Sequence, residues 1–268
     1  MTDRKAIFIT GGGSGIGRAI ARYFGERGWF IGLGDIDAAG MKETEGLLPG
    51  GYHYSHKFDV RDRAAWEKAL DAFSTAAGGR IDVMANNAGI PIGGPLAENS
   101  PEEIERCLDI NLKGVMFGAQ AVYPHLRKTA PGSCLLNTAS AAGIYGSPGG
   151  SVYCATKFGV RAVTESLDAE WLADGIKVRS LMPSFIDTPL LDLSINAHTN
   201  SGVRERVKAS GLEITPVAEV AEAAWNAVHG DKLHTPVGKT AKSLAFAARW
   251  MPGRLRKQIR STQGPLDD

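Results

Sequence analysis

Cysteine is scarce in this sequence: Cys107, Cys134 and Cys154 are the only three, odd in number and far apart, with no CxxC spacing among them. That argues against a structural zinc site and for a reducing compartment, so a cytoplasmic location is expected. Long apolar runs are missing as well. None approaches the roughly 18 residues of a membrane-spanning helix, and the opening MTDRKAIFITGGG lacks the apolar core of a secretory signal. Neither sign of charge dominates: 30 Lys and Arg stand against 29 Asp and Glu, a net +1. There is no global pull towards nucleic acid, and a small molecule is the expected partner. The six histidines do not cluster. His53 and His56 fall in a stretch that reads as a strand, where residues three apart face opposite ways, so no metal site is expected. Repeats, low-complexity tracts and Pro/Ser-rich linkers are also lacking, and residues 1–268 read as one domain.

What is present is alternation. Short runs rich in Ile, Val and Phe alternate with segments of helical period: AIFIT (6–10), a helix from about Ile16 to Arg27, FIGLGD (30–35), a strand near 52–58 and a helix near 62–77. DVMAN (82–86), a long helix near 101–129, SCLLNTAS (133–140), a helix near 151–173 and KVRSLMP (177–183) follow. Strand–helix alternation implies an α/β fold, a doubly wound and mostly parallel sheet with helices on both faces. Ligands of such sheets bind beyond the carboxyl ends of the strands.

TGGGSGIG (10–17) follows the first strand and opens the first helix. Gly11, Gly15 and Gly17 remove the Cβ atoms that would block a tight turn and a close approach of ligand to backbone, and the helix amino terminus offers free N–H groups to a pyrophosphate. Ser14 and Ile16 lie in the same loop. A glycine-rich turn alone is weak evidence, but Asp35 stands 24 residues after Gly11 at the end of the second strand, placed to accept hydrogen bonds from an adenosine ribose. The same carboxylate repels a 2′-phosphate, and Ile36 rather than an arginine follows it. NAD is therefore expected over NADP. The competing reading is a turn or capping aspartate, a task that Asp37 next door can perform for the following helix.

These motifs resemble the short-chain dehydrogenase/reductase family in its single-domain, NAD-preferring branch. TGGGSGIG has that family's GxxxGxG spacing. Asp59-Val60 resembles its adenine-contacting pair, NNAG (86–89) its motif after the fourth strand and NLKG (111–114) the stretch with its active-site asparagine. Ser140 ends NTAS, and Tyr153 of YCATK follows thirteen residues later. All occur in the family's order, over roughly residues 4–230. The resemblance implies a Rossmann-type fold, a homotetramer or dimer, and cofactor contacts from Asn87, Ala88, Gly89, Pro183, Ile186 and Thr188. One departure stands out: MPSFIDTP places Ser184 where the family has glycine.

A pair such as Tyr153 and Lys157, one helical turn apart, is by itself ordinary helix surface. With a cofactor loop upstream it becomes an acid–base device: the Lys157 ammonium favours the Tyr153 phenolate and lowers a pKa near 10. Ser140 is expected to orient the substrate oxygen. The resemblance adds that Lys157 holds the nicotinamide ribose and that Asn111 holds a water linking Lys157 to solvent. Asn111, Ser140, Tyr153 and Lys157 are thus the expected catalytic set, with Cys154 a small buried bystander. Apolar segments 90–98 and 141–150, and Leu190, Leu191, Leu193 and Ile195 of a lid at 189–210, favour a secondary alcohol or ketone with a hydrophobic body. Arg204 or Arg206 is the alternative, gripping an anionic group. Two other functions stay open, an NADP-dependent ketone or 3-oxoacyl reductase and a non-catalytic NAD(H)-sensing module. Residues 232–268 read as a basic extension, with eight Lys and Arg and no acid from Lys232 to Pro265. A packed or frayed tail with solvated charges is the plain reading, and a membrane surface, a subunit contact or a cover over the site are the others.

Overall fold

The structure, a computed structural model, describes residues 4–192 and 203–261. Seven parallel strands form one sheet: β1 (Ala6–Thr10), β2 (Phe30–Asp35), β3 (His53–Lys57), β4 (Val83–Asn86), β5 (Cys134–Thr138), β6 (Lys177–Pro183) and β7 (His234–Val237). Their order across the sheet is β3-β2-β1-β4-β5-β6-β7, so the winding reverses between β1 and β4. In a doubly wound sheet that reversal opens a crevice beyond the strand ends.

Side-chain alternation builds a core on each face. Ile7 and Ile9 of β1 point one way with Leu33, Leu136 and Leu181, under α1 (Gly15–Gly25) and α8 (Val217–His229). Ala6 and Phe8 point the other way with Met84, Leu135 and Val178, under α3 (Arg63–Ala76) and α5 (Gly114–Thr129). Phe8 meets Phe73 of α3 at 5.1 Å between ring centroids, both fully buried, which stabilises by about 2–3 kcal/mol per ring. α2 (Ala38–Gly46) is short and polar, and Asp37 caps it by accepting from Gly40 N at 3.0 Å. The capping role thus falls to Asp37 and leaves Asp35 free of it.

The stretch expected as one helix at 101–129 is three pieces. α4 (Pro101–Leu108) starts at a capping box in which Ser100 and Glu103 satisfy each other's backbone N–H groups at 3.0 and 3.2 Å. A π turn, Asp109–Lys113, then inserts an extra residue before α5. Asn111 sits in it, fully buried. α6 (Ser151–Glu170) carries Tyr153 and Lys157, and α7 (Val203–Ala209) follows residues 193–202. α9 (Lys239–Trp250) and α10 (Pro252–Ser261) close the described chain. Strand β7 belongs to the sheet, pairing with β6 from Ser180↔His234 to Pro183↔Val237, so the basic extension begins after it rather than at 232.

Candidate active site

A cavity of about 320 Å³ opens beyond the carboxyl ends of β1, β2, β4, β5 and β6, where the sheet order reverses. One stretch of its wall is the glycine loop. Gly11 and Gly15 have φ of 68° and 50°, the left-handed region that favours glycine. A Cβ on Gly11 would meet Asn87 Nδ2 at 3.0 Å, and one on Gly17 would meet the Gly11 carbonyl oxygen at 2.1 Å. Gly17 does not line the cavity; it lets α1 pack against the loop. Changing Gly17 to alanine must displace the loop by about 1 Å, a shift that costs about 10²-fold in a positioned site. We expect NADH affinity to fall at least tenfold in a fluorescence titration, and unchanged affinity would contradict this account of the loop.

Two residues not singled out by sequence brace the loop from α2 and α1. Thr44 Oγ1 donates to the Gly12 carbonyl at 2.9 Å, and Arg18 reaches the Gly13 carbonyl, Thr44 Oγ1 and the Glu43 carboxylate. The helical spacing of Arg18, one turn after Ser14, was the available signal. Asp35 accepts from Gly13 N at 2.9 Å and from Asp37 N at 3.0 Å, so its carboxylate ties loop to strand end while lining the cavity. Asp59, Val60, Ala88 and Gly89 line it too, with Ser14 and Ile16. Asn87 locks three strand ends together: its Nδ2 donates to the Thr10 carbonyl at 3.0 Å, and its Oδ1 accepts from Thr138 Oγ1 at 3.2 Å.

Ser140, Tyr153 and Lys157 converge on the same cavity. Ser140 follows β5, its Oγ accepting from Ala142 N at 3.1 Å. Lys157 is 4% exposed, donates to the Thr138 carbonyl at 2.9 Å and stands 5.5 Å from the Tyr153 ring centroid. Burial pushes the Tyr153 phenol up to about 12, against the lowering effect of its hydrogen bond with Ser140. Burial likewise brings Lys157 down to about 8. The expected depression of the phenol by Lys157 is therefore not what the structure shows: desolvation favours the neutral form of each group.

Asn111 differs from expectation. Its Oδ1 accepts from Ile90 N at 2.8 Å and its Nδ2 donates to the Ile90 carbonyl at 2.9 Å, so the amide clamps the chain after β4 and does not line the cavity. Pro183, Ile186 and Thr188 line it, and so does Ser184. Ser184 does not require a glycine's backbone, because no non-glycine residue among those described has a positive φ; its hydroxyl reaches the Val237 carbonyl of β7 at 3.3 Å. Leu190 and Leu191 give apolar wall, whereas Leu193, Ile195 and the Arg206 side chain lie outside the described residues. Arg204 is not available to an anionic ligand. Its guanidinium is held by Asp187 and Asp192, each at 2.6 Å, and by the Thr188 carbonyl at 3.3 Å. Cys107, Cys134 and Cys154 are buried free thiols. Among the described residues no group of three or more His, Cys, Asp or Glu could hold a metal ion.

Comparison with known proteins bears on this arrangement. The sequence model described as short chain dehydrogenase matches residues 5–198. Meso-2,3-butanediol dehydrogenase of Serratia marcescens is 35% identical over 186 residues, 69% of this chain and 73% of that protein. A 3-oxoacyl-[acyl-carrier-protein] reductase of Thermotoga maritima is 36% identical over 194 residues, 71% of this chain and 77% of its own length. The crystal structure of a short chain dehydrogenase/reductase from Burkholderia phymatum in complex with NAD superposes with a TM-score of 0.83 at 25% identity, covering 99% of this chain and 98% of the other. With its parallel sheet, its crevice at the winding reversal and these relatives, the chain belongs to the short-chain dehydrogenase/reductase family of oxidoreductases.

Proposed function

We propose that this chain, acting as one domain, moves hydride between NAD(H) and a secondary alcohol or ketone with a hydrophobic body. The carrying observation is that one cavity holds the glycine loop and Asp35 together with Ser140, Tyr153 and Lys157. The cavity wall fits a dinucleotide, since Gly11 and Gly15 line it in left-handed turns at the amino end of α1, where first-turn N–H groups face a pyrophosphate without a side-chain cap in the way. Gly11, Ser14, Gly15 and Ile16 would hold its pyrophosphate, Asp35 its adenosine ribose, and Asp59, Val60, Asn87, Ala88 and Gly89 its adenine side. Pro183, Ile186 and Thr188 would border the nicotinamide, which when bound supplies the hydride chemistry.

The remaining chemistry belongs to the side chains. Ser140 orients the substrate oxygen. Tyr153 gives that oxygen a proton in ketone reduction and takes one in alcohol oxidation. Lys157 spends one of its three N–H donors on Thr138, leaving two for the nicotinamide ribose and the proton path. Asn111 holds Ile90 in place, and a relay through Asn111 has to use its main chain because its amide is already engaged. Leu190, Leu191, Ile90 and Ile186 support a hydrophobic substrate, and the diol-oxidising relative adds small diols to the candidates. NADH appearance with a panel of secondary alcohols and diols tests the reading, and no turnover with any of them despite NADH binding would sink it.

Cofactor choice rests on Asp35. Arg61 also lines the cavity, but Asp59 holds its guanidinium at 2.6 Å, so it is already neutralised and poorly placed to offset a 2′-phosphate. Asp35→Ser is expected to reduce the preference for NAD over NADP by roughly 10²-fold in kcat/KM, about 2.7 kcal/mol of relieved like-charge repulsion. An unchanged ratio would remove Asp35 from the selection. The buried free thiols agree with a cytoplasmic location. Assembly as a tetramer or dimer belongs to the same reading, supported by Met116 on α5 and Phe158 on α6, each 39% exposed.

A further inference from the structure

Helix α9 is packed on one side only. Ala241 is fully buried, and Leu244, Ala245 and Ala248 rest on the cluster of Ile144, Val160 and Met182. The opposite side carries Lys242, Phe246, Arg249 and Trp250, spaced to share one helical stripe. Phe246 is 59% exposed and Trp250 64%. α10 folds back beside α9, burying Leu255 and turning Arg254, Arg256, Lys257 and Arg260 to solvent. A groove of about 530 Å³ runs between the two helices, with Met251 half exposed in its wall.

The charge on this surface is of one sign. Lys239 to Ser261 contains seven Lys and Arg and no acid. Lys239 approaches Glu213 at 3.8 Å, and among the described residues the other six form no ion pair. Two large aromatic side chains held out in water among cations that lack ion-pair partners, with Arg249 5.1 Å from the Trp250 ring centroid, fit a partner that is both anionic and apolar. We propose that α9 and α10 are a docking surface for an anionic lipid bilayer. Lipid phosphates and carboxylates take the cations, while Phe246 and Trp250 seat at the headgroup boundary, where amphipathic aromatic rings are most stable. No helix among the described residues is long and apolar enough to cross a membrane, so the contact lies in the interface plane. A second copy of the chain fits less well, because a two-fold contact sets this patch against itself with no acid to meet the cations.

The surface also bears on the substrate. α9 packs through its buried side on the turn Ala141–Gly143, which begins at Ser140, so a bilayer on its outer side would lie one helix away from the cavity wall. A hydrophobic alcohol or ketone dissolved in the bilayer is then the substrate class delivered there, a statement that rests on the proposed oxidoreductase reading. The docking itself does not.

The test is co-sedimentation of the full chain with sucrose-loaded vesicles of phosphatidylcholine, with and without phosphatidylserine. At low salt at least about tenfold more protein should sediment with the anionic vesicles, and the excess should fade as salt rises. Phe246→Ser/Trp250→Ser and Lys242→Glu/Arg249→Glu should each lose about tenfold in binding, with far-ultraviolet circular dichroism and NADH affinity as checks that the fold is kept. Three results overturn the proposal: wild type left in the supernatant with both vesicles; the Phe246/Trp250 variant sedimenting like wild type, which means electrostatic adsorption only; or that variant converting an oligomer to a smaller species without altering sedimentation, which makes the patch a subunit contact. Sedimentation with no alcohol turnover would support the docking surface and sink only the oxidoreductase reading.

Discussion

Tyr153→Phe is expected to lower turnover by about three orders of magnitude, the middle of the range for a lost acid–base group, while NADH affinity is retained. Phenylalanine keeps the ring that packs with Ile92, Cys107 and Val152, so the cluster survives and only the hydroxyl is lost. With its pKa pushed up to about 12 by burial, the phenol is protonated at neutral pH. It is therefore ready as an acid for ketone reduction. As a base for alcohol oxidation it must first ionise, and that step is helped by the Lys157 ammonium 5.5 Å from the ring centroid. Wild-type oxidation should accordingly climb with pH into the alkaline range while reduction holds near neutrality. Stopped-flow NADH formation and consumption across pH checks both halves. Retained turnover in the phenylalanine variant would remove Tyr153 from the mechanism.

The site was legible because its residues stand at strand ends. TGGGSGIG, Asp35, Asn87 and Ser140 each stand at or just beyond the carboxyl end of a strand of the parallel sheet, and right-handed winding carries all of those ends to one crevice. Strands β1 and β2 are nearly continuous apolar runs and could be read from composition, while β5 and β6 keep apolar stretches among a few polar residues. Strand β7 could not: HTPV is four residues long and contains a proline, and its place comes from pairing with β6. The π turn at Asp109–Lys113 leaves no mark in the hydrophobic period, since one extra residue changes the facing of α5 without changing residue types. Nor does spacing reveal what a side chain's polar atoms are already doing. Asn111 and Arg204 both looked available, yet Ile90 holds one and Asp187 with Asp192 holds the other. The electrostatics of Tyr153 and Lys157 were hidden for a related reason. A sequence places the two one turn apart, but the sign of each shift depends on how completely neighbouring elements cover them.

That covering has a cost which Lys157 carries. A lysine brought from 10.5 down to about 8 is held in a pocket that resists its charge. The folded state then binds fewer protons than the unfolded chain between those values. The penalty on stability is fully present below pH 8 and disappears as pH rises through 10.5. Its size at neutral pH is on the order of 3 kcal/mol, from which the lost hydrogen bond to the Thr138 carbonyl returns about 1 kcal/mol. Lys157→Met, similar in length and without charge, is therefore expected to unfold with about 2 kcal/mol more free energy and a Tm several degrees higher at pH 7. The advantage should shrink steadily between pH 8 and 10.5. On the proposed function, turnover should fall by at least about 10³-fold, because the variant would neither hold the ribose nor support an ionised Tyr153. Denaturant unfolding at a series of pH values, run beside the NADH assay, reads both effects. A variant less stable than wild type at neutral pH would show that the hydrogen bond and not the desolvation governs this position, and a gain that grew with pH would reverse the sign of the linkage.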